Sequence, residues 1–268
     1  LTAWLATRIK RVGTSRRSMM QEELGYIDGG SQTLVDALTH AIEARGGRIR
    51  LAAPAQEIVS EAGRVRGVRF AGEVHPCDAV LCTVPTPLVP RLVPGFDAAT
   101  RGRYEAITNI GVVCVLLKLA KSVTKHFWLN VNDPRIDIPG LVEFSNLRPT
   151  PETVVYVPYY MPTTHPKFGR DDKAFVDEAF GYLRLLNPAL AEGDLLGAHV
   201  GRLRHAQPVC EPGFLAKIPK VVTPIAGLQI ADTCFYYPED RGISESVRYG
   251  KLMAAAVTRP QVWAAEGR

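Results

Sequence analysis

Apolar residues recur along this chain with two periods, and the switches between them mark out the elements. Over Ser31 to Arg45, Leu34, Leu38 and Ile42 fall at i, i+4 spacing with Val35 and Ala41 beside them. That predicts a helix with one buried face, capped by Ser31 and stopped by Gly46-Gly47. Asp171 to Leu186 predicts a second helix. Asp171 caps it, Phe175, Ala179, Phe180, Leu183 and Leu186 form its apolar face, and Asn187-Pro188 ends it. Ala98 to Asn109 and Ile243 to Val257 complete the helical set, the latter with Ser244 at its N-cap and Glu245 in its first turn. Residues 1–24 read as an amphipathic helix followed by a polar linker from Gly13 to Gln21.

The remaining runs have strand length and composition. Arg48 to Leu51 is short. Glu57 to Ser60 and Val65 to Phe70 form a hairpin across Glu61-Ala62-Gly63. A further strand starts at Glu73 and leads into Asp78 to Pro85, apolar enough to be buried on both faces. Ile110 to Leu119, Phe127 to Asp133, Gly140 to Phe144, Thr153 to Tyr160 and Leu196 to His205 predict a mostly antiparallel sheet with helices on one side. Within it, Glu143 is flanked by Val142 and Phe144, and solvent is the better place for its carboxylate. Leu228 to Ala231 is a last short strand, buried by its composition.

Composition narrows the class. With 46% hydrophobic and 22% charged residues, the 268-residue chain is that of a globular protein with one large or two ordinary domains. No run of ~18 apolar residues could span a bilayer. The net charge is +5, but Lys and Arg are scattered apart from Arg8 to Arg11 and Arg16-Arg17. Nucleic-acid binding needs a concentrated basic stripe with interleaved aromatics, so it is excluded. An anionic substrate or a peripheral membrane surface remains compatible. Cys77, Cys82, Cys114, Cys210 and Cys234 are odd in number and form no C-x-x-C. They read as reduced, buried thiols of a cytoplasmic protein. No His or Cys pair has metal-site spacing, so no metal is expected.

Chemistry concentrates in Gly227 to Gly250. A strand feeds a turn, Tyr237-Pro-Glu-Asp-Arg-Gly242, and the turn feeds a helix start. Helix-start amides and the positive dipole end then point at one spot, which suits a phosphate or an electron-rich ring oxygen. An ordinary strand-to-helix connection produces the same pattern.

These residues carry a resemblance. The C-terminal stretch resembles the closing flavin motif of the FAD-dependent amine oxidase and phytoene desaturase superfamily, in the branch with a Tyr-Pro-Glu-Asp-Arg-Gly block. The run from Gly25 to Pro94 is similar to that superfamily's middle flavin segment: Gly-Gly, helix, Gly-Gly, strand, hairpin, then an Ala-Asp-x-Val strand ending in Pro. Phe127 to Asp133 and Val142 to Asn146 resemble blocks of the same branch. The implied fold is mixed α/β. It comprises a partial FAD-binding, Rossmann-like domain and an inserted, mostly antiparallel sheet-plus-helix substrate domain. Residues 1–24 would be a helix and linker from the substrate domain. Residues 25–94 and 223–268 would be flavin-domain segments, and 95–222 the substrate domain.

The resemblance also implies site residues. Backbone atoms of Ala55, Gln56 and Glu57 would reach the adenine end of FAD, and the corner Thr83-Val84-Pro85 would lie near the cofactor. Amides at Gly242, Ile243 and Ser244 would meet the flavin. The superfamily has a Gly before an acidic residue after the last strand. Here the sequence is Ala231-Asp232-Thr233, so either Asp232 takes the acidic role or the local backbone differs. Arg241 would hold a phosphate or the flavin's N1–O2 edge, or instead pair with Glu239 or Asp240. Tyr236 and Tyr237 are the aromatics next to the ring, with packing as the alternative role of each. The two stretches, near residue 85 and near residue 242, must meet for any of this to hold.

One signature is missing. The superfamily's first strand–GxGxxG–helix has no counterpart here. Roughly 150–200 further residues are therefore expected upstream. This stretch alone would hold half a cofactor site, bind FAD weakly or not at all, and be inactive. Strands that lack their parallel neighbours leave an edge that invites a homodimer. The implied function is the C-terminal part of an FAD-dependent oxidoreductase. It would take a hydride from a C–N or C–C bond of a small or lipid-like molecule. A flavin-dependent sugar-nucleotide mutase-like isomerase and a binding module without chemistry are the alternatives.

Overall fold

A computed structural model describes residues 16–18, 21–22, 25–239 and 241–258, with side chains from residue 25 onward. The helix predicted at the start and Asp240 of the turn lie outside the described residues. In the predicted linker and at its end, β1 (Arg16–Ser18) and β2 (Gln21–Glu22) pair antiparallel. The chain divides into two compact units: one runs to Ile107 and resumes at Cys210, the other is Thr108–Val209.

In the first unit, α1 (Ser31–Glu43) follows Gly30, which sits at φ +77° and is the N-cap. Ser31 is therefore the first helical residue, not the cap. The helix ends as predicted. Gly47 N–H reaches back to the Ile42 carbonyl at 2.9 Å, with Gly46 at φ +79°. Its apolar stripe, however, is not buried: Val35, Leu38 and Ile42 are all exposed. The periodicity encodes a face to be covered, and nothing among the described residues covers it.

Arg48 to Leu51 forms no strand, and Leu51 is 86% exposed. An extended segment needs a neighbour for its N–H and C=O groups, and no described strand pairs with it. β3 (Glu57–Glu61), β4 (Arg64–Phe70) and β5 (Glu73–Pro76) form the predicted antiparallel hairpin and its extension. β6 (Val80–Cys82) buries Cys82 but leaves Leu81 42% exposed. The expectation of two buried faces fails because, among the described residues, β6 belongs to a sheet of two strands. α2 (Ala98–Glu105) is capped by Asp97, which accepts Thr100 N–H at 2.8 Å. It stops short of Asn109, which opens the next strand.

The second unit is an antiparallel sheet of order β11-β7-β10-β9-β8. Its strands are β7 (Asn109–Leu119), β8 (Trp128–Asn130), β9 (Gly140–Glu143), β10 (Thr153–Met161) and β11 (Leu195–Pro208). Every second residue of β7 from Val113 to Leu119 is fully buried, as are Val155 and Val157 of β10. They share a core with Phe175, Ala179 and Leu183 of α3 (Asp172–Leu186), capped by Asp171 as predicted. Burying such a side chain contributes about 1.5–3 kcal/mol, so this contiguous cluster holds the unit together.

Glu143 departs from its expected place in solvent. It is fully buried and accepts from Ser122 Oγ (2.6 Å), Thr124 N (2.7 Å) and Val123 N (3.3 Å). Three local donors give the carboxylate what water would otherwise supply.

The chain then returns to the first unit. β12 (Leu228–Ile230) pairs parallel with β6, Leu228 beside Val80 and Ile230 beside Cys82, and α4 (Ile243–Thr258) follows. Ser244 lies inside the first turn rather than at the cap. Ser246 Oγ is the side chain that bonds back, to the Gly242 carbonyl at 3.1 Å. With helices and several sheets, the fold class is mixed α/β. All five cysteines are free thiols; Cys82 and Cys234 are buried, Cys77 and Cys114 partly so, and Cys210 is exposed, against the uniform burial expected.

Candidate functional site

The ends of the two parallel strands, β6 and β12, build a corner. Beyond β6 the chain passes through Thr83, Val84 and Pro85 into a 3-10 turn at Thr86–Leu88. Beyond β12 it passes Ala231 and Asp232 into another at Thr233–Tyr236. The ladder continues one step as Ala231 N–H meets the Cys82 carbonyl at 3.1 Å. Asp232 then fastens both turns. Its Oδ2 accepts Thr86 N–H at 2.6 Å and its Oδ1 accepts Cys234 N–H at 2.9 Å. Thr86 Oγ1 and Cys234 Sγ lie 3.2 Å apart in a fully buried contact. Burial raises the Cys234 thiol pKa, and the Asp232 charge raises it further, so this sulfur stays a neutral thiol. Burial likewise raises the Tyr104 hydroxyl, and the nearby Asp232 carboxylate raises it further.

From the corner, two tyrosines tie the turn to α4. Tyr236, buried, donates to Ser246 Oγ at 3.0 Å. The Tyr249 hydroxyl donates to the Phe235 carbonyl, and the two tyrosine rings sit 5.1 Å apart. Ser246 N–H is bonded to the Gly242 carbonyl at 3.1 Å. The amides of Ile243, Ser244 and Glu245 are the first-turn groups that a helix cannot satisfy internally. Ile243 and Ser244 are exposed and Gly242 half-buried.

The predicted residues are therefore placed as follows. Asp232 is brought to the corner, but both its oxygens serve the chain itself. Thr83 is exposed, and Val84 and Pro85 are half-buried beside it. Tyr236 packs and bonds inside the unit, whereas Tyr237 is partly exposed and meets Phe214 edge-on at 5.4 Å. Arg241 is exposed, close enough to Cys210 for its charge to oppose the desolvation that raises that thiol. Gln56 N–H is spent on the Arg69 carbonyl at 2.7 Å, and Glu57 is in an ion pair with Arg69 at 3.0 Å. Ala55 is exposed and lies before the ladder begins. Thr86 and Cys234 were missed by sequence reasoning. Pro85-Thr86-Pro87 announces a turn, but nothing in it names a partner 146 residues away. No group of three or more His, Cys, Asp or Glu that could hold a metal occurs among the described residues.

Comparison with known proteins bears on this geometry. The sequence profile of a family described as flavin-containing amine oxidoreductase matches residues 8–200. No curated protein sequence matches. Among solved structures, a protein provisionally assigned as a protoporphyrinogen oxidase from Exiguobacterium sp. 255-15 superposes with a TM-score of 0.63 at 19% identity, over 76% of this chain and 46% of its own. An oxidoreductase from Methanosarcina mazei gives 0.57 at 18%, over 76% and 49%. Reduced UDP-galactopyranose mutase gives 0.56 at 15%, over 74% and 46%. At these identities the likeness is one of fold. The chain spans about half the length of each of these structures.

Proposed function

We propose that this chain, which belongs to the flavin-containing amine oxidoreductase family, is the part of an FAD-dependent oxidoreductase that closes over the flavin. The reaction is removal of a hydride from a C–N or C–C bond of a small or lipid-like molecule. The observation that carries this reading is the corner where Asp232 joins Thr86 to Cys234. It brings the ends of two strands, far apart in sequence, to one place ahead of a helix N-terminus.

The donor set suits a flavin. Exposed first-turn amides at Ile243 and Ser244, with Gly242, are able to donate to an electron-rich ring edge. Ala55 has its main chain outside the ladder and suits the adenine end, whereas the Gln56 amide is already engaged. Thr83 to Pro85 supply the wall, Asp232 positions it, and Arg241 and Tyr237 are the exposed charged and aromatic groups alongside. The ring, when bound, accepts the hydride; the protein orients it and excludes water. On this reading 25–94 and 223–268 are flavin-domain segments of Rossmann-like type and 95–222 is the substrate domain. Among the described residues β6 pairs with β12 alone, and its open edge makes a homodimer of the isolated chain the expected by-product.

The test is spectral. The chain is produced together with the sequence that precedes it, and the purified protein is scanned. Flavin absorbance near ~450 nm is the expected result, and its absence from a folded preparation rejects the reading. A likeness of fold to the mutase does not favour isomerisation. Turnover of a sugar nucleotide with no net oxidation would replace the oxidoreductase reading.

A further inference from the structure

Each unit contains a cavity, and the two differ in how their charges are treated. In the Thr108–Val209 unit a cavity of about 370 Å³ is lined by Tyr159, His165 and Lys167 among others. There the cation is neutralised: Lys167 Nζ is 2.9 Å from Asp137 and 2.7 Å from Glu178. In the other unit a cavity of about 390 Å³ lies between α2 and the segment before β12, lined by Thr100, Arg103, Tyr104, Pro219, Lys220, Val222, Thr223 and Pro224. Its volume is within the roughly 300–1,000 Å³ of small-molecule sites.

Here the cations are not neutralised. Arg103 and Lys220 are exposed, and among the described residues neither side chain makes a hydrogen bond or ion pair. No acidic residue lines the cavity. Glu105, the nearest acid in sequence to Arg103, is not part of the lining, and Asp97 is held by the amide and hydroxyl of Thr100 at 2.8 and 2.9 Å, which caps α2. The two threonine hydroxyls of the lining are spent. Thr100 donates to Asp97, and Thr223 Oγ1 donates to the Leu228 carbonyl at 3.0 Å. Tyr104, Pro219, Val222 and Pro224 supply apolar wall, Tyr104 being 1% exposed. Two like charges at one concavity, with no counter-charge, repel each other and raise the local concentration of anions.

We propose that this cavity is a binding site for a small organic anion, its head held by Arg103 and Lys220 and its compact apolar body seated against Tyr104 and Val222. A phosphate ester and a carboxylate share this chemistry. The site uses none of the residues assigned above to the flavin, so its test needs no flavin.

The 268-residue chain is titrated by calorimetry with phenyl phosphate and, separately, with benzoate. Saturable one-site binding of at least one probe is expected, weakening as salt is added. Phenyl phosphate binding the tighter assigns a phosphate ester, and benzoate a carboxylate. Arg103→Ala combined with Lys220→Ala removes two exposed side chains without touching the core, and should weaken binding at least about tenfold. Val222→Trp, which fills the cavity and leaves the charge intact, should weaken it comparably. No saturable binding of either probe overturns the proposal. So does unchanged affinity in the charge variant, and so does unchanged affinity in Val222→Trp, which would reduce the site to a diffuse surface charge.

Discussion

The main-chain N–H of Thr86 points at Asp232 Oδ2 from 2.6 Å, joining residues 146 positions apart. The same carboxylate holds Cys234 N–H through its other oxygen. Thr86 Oγ1 and Cys234 Sγ also meet across the same gap at 3.2 Å, and the carboxylate adds the charged acceptor shared by both turns. Asp232→Ala should lower the unfolding free energy by about 2–4 kcal/mol, since two partly buried amides lose a charged acceptor. Asp232→Asn keeps one acceptor oxygen and should lose about half as much. Urea titration followed by far-UV circular dichroism measures both. An alanine variant with an unshifted midpoint would show that the corner is held by packing alone.

Glu143 gives a second prediction because its environment is so one-sided. Ser122 Oγ, Val123 N and Thr124 N all donate to it, and it has no exposure to water. Glu143→Gln preserves shape but turns one acceptor into a donor facing donors. A loss of about 2–4 kcal/mol is expected in the same titration, against less than about 0.5 kcal/mol for a control at the exposed Glu192. Equal effects at the two sites would refute the account of Glu143 as a buried anchor.

These two residues also show where sequence reading stops. α3 was legible in full because its cap, stripe and stop agree and its stripe meets a sheet. The hairpin β3–β4 was legible because its turn residues fix its register. Glu143 was misplaced because a carboxylate between two apolar residues looks alike whether its donors are water or three nearby groups. The stripe of α1 was read correctly as apolar and wrongly as buried, since period reports a face and not its cover. At the corner, Asp232 was legible from its place after a strand. Thr86 and Cys234 were not, because a contact across the fold leaves no local pattern.

Acid should destabilise the Thr108–Val209 unit. Burial pushes the Glu178 carboxyl up, but hydrogen bonds from Lys167 and Arg170 outweigh it and leave the pKa below the usual value. The Ala191 amide and Lys121 lower Asp194 in the same sense, and Arg135 holds Asp133 at about 2. A lowered folded pKa means that the unfolded chain binds more protons. The stabilisation is then complete above the unfolded value of about 4.3 for Glu and is lost as pH falls through the folded value. Urea midpoints should accordingly begin to fall below about pH 5 and keep falling to about pH 2, where Asp133 titrates. Glu178→Gln should be less stable at neutral pH and show a flatter decline. A variant with the parent's slope would assign the acid sensitivity to other groups.

The entry to β12 offers the sharpest backbone test. Gly227 sits at φ +85°, and its carbonyl accepts Val80 N–H at 2.8 Å, which starts the β6–β12 pairing. A Cβ built there would lie 2.6 Å from the Asp78 carbonyl oxygen, a backbone atom that cannot swing aside. Gly213 has nearly the same φ, +82°, but open space where its Cβ would go. Alanine at Gly213 should cost only the left-handed backbone conformation, about 1 kcal/mol. Alanine at Gly227 adds the collision and should cost clearly more, about 2–4 kcal/mol, by separating the strands that carry the corner. Thermal and urea unfolding of the two variants side by side decide it. Matching losses would mean that the approach of Asp78 to Gly227 is slack, and that the two strand ends are registered from the Asp232 side alone.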